Sequence, residues 1–193
     1  MPSTFYLLPS TFYLYPMPIN FETKARCSDL AGAEERLRKY EPRFVGEDHQ
    51  VDTYFNVPQG RLKLREGNIE NALIHYLRED VAGAKQSTVL LYQHQPDGNL
   101  KQILSAALGV KTVVDKKRRI YFISQVKFHF DEVQGLGSFV EIEAIDRDGS
   151  LGLEKLQQQC SFYIDVLGIQ PSDHLAGSYS DMLEQDSTAL QPE

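Results

Sequence analysis

The chain is poor in the features that would make several functions easy to read. No stretch of its 193 residues approaches eighteen consecutive apolar positions, which excludes an ordinary membrane-spanning helix. Its two cysteines, Cys27 and Cys160, lie far apart and lack the close Cys/His spacing of a zinc site. They read as reduced core or surface thiols of a cytoplasmic protein with no membrane partner. Positive charge is also scarce: 20 Lys and Arg stand against 27 Asp and Glu, for a net charge of -7. A generic nucleic-acid coat needs basic surface to displace counterions from phosphates, so this balance argues against one. The basic run 116–119 does not change that, because strand alternation divides it between two faces. The five histidines are scattered and propose no ligand cluster. His75 and His94 read as sheet-surface residues, and His129 is left out of the site.

The length suits one domain with a full-sized core. That domain is expected over residues 17–184, followed by a loose tail at 185–193. Residues 1–16 are peculiar, since Pro2-Ser3-Thr4-Phe5-Tyr6-Leu7-Leu8 is nearly repeated by Pro9-Ser10-Thr11-Phe12-Tyr13-Leu14-Tyr15. A signal peptide would have a basic start and a continuous apolar stretch, and this segment has neither. It reads as a disordered low-complexity extension, or as an early start ahead of Met17.

What the chain does have is charge at every second residue. In Asn20-Phe21-Glu22-Thr23-Lys24-Ala25-Arg26 a strand would place Glu22, Lys24 and Arg26 on one face and Phe21, Thr23 and Ala25 on the other. The layout recurs in Arg61-Leu62-Lys63-Leu64-Arg65 and in Phe139-Val140-Glu141-Ile142-Glu143-Ala144. Lys116 and Arg118 share a face of a further strand, and so do His129 and Asp131. Between these segments, Ser28 can cap a helix carrying Leu30, Ala33 and Leu37 at helical spacing. Strands are expected over 44–55, 61–66, 73–78, 87–93, 112–123, 125–133 and 138–146, with turns at 56–60, 96–98 and 134–137. Leu100, Ile103, Leu104 and Ala107 mark a second helix. Leu153, Leu156, Cys160, Tyr163, Ile164 and Leu167 mark a third, which stops before Gly168. About eight strands in hairpin order with helices outside them favour an α+β protein built on an antiparallel β-barrel.

Any one alternating charged strand is most simply a solvated sheet face. If all of them line one barrel, the lumen holds Lys24, Arg26, Lys63, Arg65, Arg78, Lys116 and Arg118 against Glu22, Asp131, Glu141 and Glu143. Unpaired buried charges cost several kcal/mol each, so such a cationic surplus implies an anionic guest, and the clustered carboxylates imply a divalent metal. A polyphosphate with its metal meets both demands.

These segments resemble the CYTH, or triphosphate tunnel metalloenzyme, superfamily over about residues 19–183. The first strand of that family reads Glu-x-Glu-x-Lys, represented here by Asn20-Phe21-Glu22-Thr23-Lys24. Leu62-Lys63-Leu64-Arg65, the basic strand Val114-Asp115-Lys116-Lys117-Arg118-Arg119-Ile120-Tyr121 and Phe139-Val140-Glu141-Ile142-Glu143 follow in the family order. Gly135-Leu136-Gly137 and Asp52-Thr53-Tyr54-Phe55 look most like the class IV adenylyl cyclase branch. The resemblance implies an eight-stranded antiparallel tunnel with flanking helices that binds a triphosphate with Mg2+ or Mn2+. It implies that Glu22, Glu141 and Glu143 hold the metal with Asp131 nearby, and that Lys63, Arg65, Arg78, Lys116 and Arg118 grip phosphates with Arg26 beside them. Lys24 would sit among the phosphates, and Lys24 and Glu22 would be the catalytic pair. The chemistry would be cyclisation of ATP to cyclic AMP and pyrophosphate, or hydrolysis of thiamine triphosphate or inorganic tripolyphosphate.

Two departures keep other readings open. The first family glutamate is Asn20, which brings no charge to a metal, and strand 85–91 lacks the acid commonly found there. A non-catalytic triphosphate-binding module and a plain structural barrel with solvated faces are the rivals. A homodimer is the assembly that general prevalence favours.

Overall fold

The computed structural model describes residues 19–78 and 85–189, and the side chains of 19, 78, 85–88 and 186–189 lie outside that description. The extension expected at 1–16 lies outside the described residues. Eight strands form the body: β1 (Ile19–Arg26), β2 (Arg43–Phe55), β3 (Arg61–Glu66), β4 (Ala72–Arg78), β5 (Lys85–Gln93), β6 (Val110–Ile123), β7 (Val126–Val133) and β8 (Gly137–Asp146). They close into a barrel in the order β1-β5-β4-β3-β2-β6-β7-β8, with β8 returning to β1. Every pairing is antiparallel, so the hairpin order read from the sequence is the barrel's own order apart from the β1–β5, β2–β6 and β1–β8 contacts. Closure removes both sheet edges, which would otherwise offer unpaired backbone groups.

The period of two then sorts side chains into lumen and exterior. On β1, β7 and β8 the exterior set is Phe21, Ala25, Val126, Phe128, Phe130, Val140, Ile142 and Ala144, all buried. Their cover is α1 (Leu30–Arg38) and α3 (Leu153–Leu167), which contribute Leu30, Ala33, Leu37, Leu156, Cys160, Tyr163 and Leu167 to the same apolar cluster. Helical spacing places those residues on one stripe of each helix, and burying them stabilises the docked helices by about 1.5–3 kcal/mol per large side chain. Asp29, not the expected Ser28, caps α1, its carboxylate accepting from the Gly32 amide at 2.9 Å. Gly168 ends α3 with φ of 72°, a left-handed conformation that costs a residue without Cβ little. Both cysteines are free thiols. Cys160 lies in this core, where burial pushes its pKa to about 12.

The other side of the barrel is covered differently. Helix α2 (Asn99–Leu108) has no buried residue, so the apolar positions that marked it in the sequence stay half-exposed or exposed. Helix α4 (Tyr179–Ala189) starts inside one mouth of the barrel and continues past residue 184, into the segment expected as a tail. Its Tyr179 ring packs on Phe139, with 4.9 Å between ring centroids, in a cluster with Tyr54, Ile74, Tyr76, Val114 and Val133. Arg61 at the start of β3 ties the helix down through Asp181 at 2.8 Å. One end of the barrel is thereby filled, and the opposite end stays accessible. No helix among the described residues is long and apolar enough to cross a membrane.

Candidate functional site

A cavity of about 400 Å³ occupies the lumen. Its wall carries Glu22 and Lys24 from β1, Asp52 from β2, Lys63 and Arg65 from β3, Lys116 and Arg118 from β6, Lys127 from β7, and Glu141 and Glu143 from β8. Alternation along each strand turns these residues to the lumen, and the two irregularities of β2, at Phe44/Gly46 and Tyr54/Phe55, lie outside the stretch that carries Asp52. Of the phosphate-gripping residues expected from the sequence, Lys24, Lys63, Arg65, Lys116 and Arg118 do converge. Arg26 does not. It is exposed at the end of β1, where its guanidinium lies 5.3 Å from the Phe139 ring centroid and donates to the Leu136 carbonyl. Beyond that point Tyr179 and Phe139 fill the lumen. The Arg78 side chain lies outside the described residues.

The expected surplus of cations gives way to an internally paired arrangement. Lys24, Lys63, Arg65, Lys116, Arg118 and Lys127 face Glu22, Asp52, Glu70 and Glu141 with Glu143 on the cavity wall, and Asp131 behind it. The charges are nonetheless segregated. At one side a single carboxylate, Asp52, receives Lys116 at 2.7 Å, Lys63 at 3.0 Å and Arg65 through two nitrogens at 2.8 and 3.0 Å. Burial opposes the ionisation of Asp52, but the Arg65, Lys116 and Lys63 charges outweigh it and hold its pKa well below the usual carboxylate value. Lys116 is pushed well below the ordinary lysine value by burial, with Arg65 and Arg118 adding to the effect against Asp52. Three cations against Asp52 and the Glu70 carboxylate that Arg65 also reaches leave this side positive.

The opposite side is acidic. Register places Glu22 across from Glu143, Lys24 across from Glu141, and His129 across from Glu141. Lys24 reaches Glu141 at 3.1 Å and lies 4.0 Å over the Tyr179 ring. Arg118 bridges Glu141 at 2.8 Å and Asp131 at 2.5 Å. His129, Glu141 and Glu143 bring one ligand atom each within 4.8 Å of one another. Burial and the neighbouring Glu141 and Glu22 charges push Glu143 up to about 7, against the pull of Lys127. Burial, with Arg118 and Lys127 close by, holds His129 down at about 3 and therefore neutral. Buried oxygens joined by a neutral imidazole suit a divalent cation, whose charge would offset the crowding of Glu22, Glu141 and Glu143.

Asp131 takes a different place from the one expected. Arg118 occupies both of its oxygens and the Tyr179 hydroxyl donates to it at 2.8 Å, so it orients the arginine from behind the cavity wall. Asn20 does line the cavity on the same face as Glu22. Several residues that matter were not selected from the sequence. Asp52 was legible only as part of a family-like tetrapeptide. Lys127 alternates with His129 and Asp131, which places it on their face. Glu70 carried no local signal at all. The turn between β3 and β4 folds it over the lumen, where it accepts from Arg65 at 2.9 Å, from Gln50 at 3.1 Å and from Lys127 across the mouth. Asp48 fixes that turn by accepting from the Ile69 and Glu70 amides at 2.9 and 3.0 Å.

The barrel is a closed antiparallel tunnel with a cation cluster on one wall and a carboxylate cluster on the other. The model of the CYTH domain matches residues 18–179, and the chain belongs to that family. Adenylate cyclase CyaB from Aeromonas hydrophila is 25% identical over 180 residues, covering 86% of this chain and 90% of that protein. The PH1012 protein from Pyrococcus horikoshii OT3 superposes with a TM-score of 0.69 at 22% identity, over 84% of this chain and 98% of the other. The S. pombe Pct1 RNA triphosphatase superposes with a TM-score of 0.51 at 12% identity, over 83% and 87%. The two structures share the fold; the relatives' names differ in chemistry.

Proposed function

We propose that the protein is a divalent-metal-dependent enzyme that binds a triphosphate in this tunnel, with adenylyl cyclase-like chemistry as the leading reading. The observation that carries it is the meeting, in one cavity, of the Lys63, Arg65 and Lys116 cluster with the Glu141 and Glu143 carboxylates. Guanidinium and ammonium groups give charge-assisted hydrogen bonds to phosphoryl oxygens, and phosphoryl transfer depends mainly on such positioning and neutralisation. Glu22, Glu141 and Glu143 would hold Mg2+ or Mn2+, which when bound supplies Lewis acidity toward a phosphoryl oxygen and the attacking hydroxyl. Lys24, between Glu141 and the cavity, would neutralise charge on the phosphate chain. Arg118, oriented by Asp131, would hold the same chain from β6. Tyr54, Ile74, Tyr76, Val89 and Leu91 give the cavity an apolar flank. That flank suits a substrate with a flat organic part, which supports ATP over bare tripolyphosphate.

Triphosphate hydrolysis is the alternative within the same site, because the phosphate grip is common to both reactions. A non-catalytic binding module is favoured by one observation, the amide of Asn20 at the cavity wall where a carboxylate would strengthen metal binding. The test is incubation of pure protein with ATP, thiamine triphosphate and tripolyphosphate, each with Mg2+ or Mn2+, and identification of products. Cyclic AMP with pyrophosphate is the expected pair from ATP. Folded protein that turns over none of the three overturns the enzyme reading.

A further inference from the structure

The most unusual group in the lumen is a histidine. His129 projects inward from β7, is fully buried, and its Nδ1 lies 3.3 Å from Glu141 Oε2 and 3.7 Å from Glu143 Oε1. Its Nε2 is buried with no hydrogen-bond partner among the described residues. The Nδ1 contact to Glu141 is a long hydrogen bond, beyond the usual range of about 2.7–3.2 Å, and the 3.7 Å contact to Glu143 is outside hydrogen-bond range. They do match the spacing of donors around one ion: atoms bound at about 2.1 Å to a common cation lie about 3.0 Å apart when adjacent and about 4.2 Å when opposite.

We infer that His129 is a ligand, with Glu141 and Glu143, of the divalent cation this lumen holds, and that its nitrogen tunes the centre toward Mn2+, Co2+ or Zn2+ and away from Mg2+. The inference rests on the metal-dependent reading of the site and adds to it both a ligand and a preference. Mg2+ takes oxygen donors and keeps its waters, whereas imidazole suits the later divalent ions, whose affinity for nitrogen rises along the first transition row. Nδ1 faces Glu141 and Glu143 of β8, with one ligand atom from each of the three residues within 4.8 Å of the others. The same nitrogen offsets what the metal corner lacks at Asn20. With Asn20 neutral, one anionic ligand is missing from β1, and a neutral donor from β7 completes the set without further crowding of carboxylates.

The experiment is electron spin-echo spectroscopy of the full chain loaded with Mn2+, with calorimetric Mn2+ and Mg2+ affinities measured beside it. The expected result is nitrogen-14 modulation in the wild type, retained in His94→Gln and lost in His129→Gln. Mn2+ affinity should fall about tenfold or more in His129→Gln while Mg2+ affinity changes little. The His94 control is needed because His94 lines the cavity, whereas His129 lies buried beside Glu141 and Glu143. If His129→Gln fails to fold, the comparison of wild type with His94→Gln still decides, since no other histidine borders the metal corner among the described residues. Bound Mn2+ without nitrogen coupling overturns the inference and leaves the proposed function standing. Absence of any divalent binding overturns it together with the metal requirement, while triphosphate affinity measured in EDTA separately tests the cationic wall.

Discussion

Replacing Asp52 by Asn tests the electrostatic logic of the tunnel at its most loaded point. The carboxylate is 1% exposed and is shared by Lys63, Arg65 and Lys116, of which Lys116 is itself 2% exposed. An amide of the same shape removes the anion and keeps the volume, so packing changes little and the cost is electrostatic. Breaking a buried ion pair from one side costs about 3–5 kcal/mol, because the remaining charge is left uncompensated. In a chain of this size each kcal/mol corresponds to about 2–4 °C in Tm, so the loss should be about 10 °C. Two features of the expected response are specific to the mechanism. Tripolyphosphate should raise the Tm of Asp52→Asn more than that of the wild type, because the anion takes over the missing counter-charge and binding to the native state adds stability by mass action. Raising the pH should narrow the gap, since Lys116, already pushed down by burial, sheds its proton more readily than an ordinary lysine. Thermal melts in phosphate-free, low-salt buffer would read all three. A variant that melts within about 2 °C of wild type and gains nothing extra from tripolyphosphate would refute the reasoning, because it would mean the three cations are solvated and not held by Asp52.

The remaining predictions follow from other parts of the site. In metal-free protein, Glu143 has a native pKa of about 7 against an ordinary 4.5, so the native state holds its proton longer than the unfolded chain. Its contribution to stability is therefore full below pH 4.5 and lost as pH rises to 7. His129, lowered to about 3, acts in the opposite sense and loses stability as pH falls below 6.5. Glu143→Gln should accordingly remove a decline of about 2–3 kcal/mol between pH 4.5 and 7 in chemical denaturation with EDTA present; an unchanged pH slope would contradict this. Tyr179→Phe deletes the hydroxyl that donates to buried Asp131 and should cost about 1–3 kcal/mol in urea melts, with loss confined to stability if α4 merely fills the tunnel end. Asn20→Glu should tighten Mn2+ and Mg2+ binding by calorimetry and raise metal-dependent turnover; weaker metal binding would show that Asn20 already completes the centre.

How much could be read without the structure depends on the range of the interaction involved. The period-two placement of Glu22, Lys24, Lys63, Arg65, Lys116, Arg118, Glu141 and Glu143 is local, since adjacent side chains on a strand must point to opposite faces. Once hairpin order is known, those residues share an interior, and that much followed from the chain alone. The helical stripe of Leu156, Cys160, Tyr163 and Leu167 is equally local, and α3 buries it where expected. Arg26 obeyed the alternation and still fell outside the site, because where a barrel ends is set by what packs in its mouth. Tyr179 closes that mouth from the far end of the chain, and no local pattern records it. Glu70 shows the same limit from the other direction: a turn residue with no periodicity reaches Lys127 only because β3, β2, β6 and β7 curve around the lumen between them.

Sequence by itself determined which side chains of each strand share a face, that those faces are charged, and that one family glutamate is replaced by Asn20. Tertiary structure decided how those charges divide: three cations on Asp52, the acidic corner of Glu22, Glu141 and Glu143, and a buried histidine between carboxylates. The physical reason is that alternation fixes the direction of a side chain relative to its own strand, whereas pairing between charges depends on register and curvature across strands far apart in the chain.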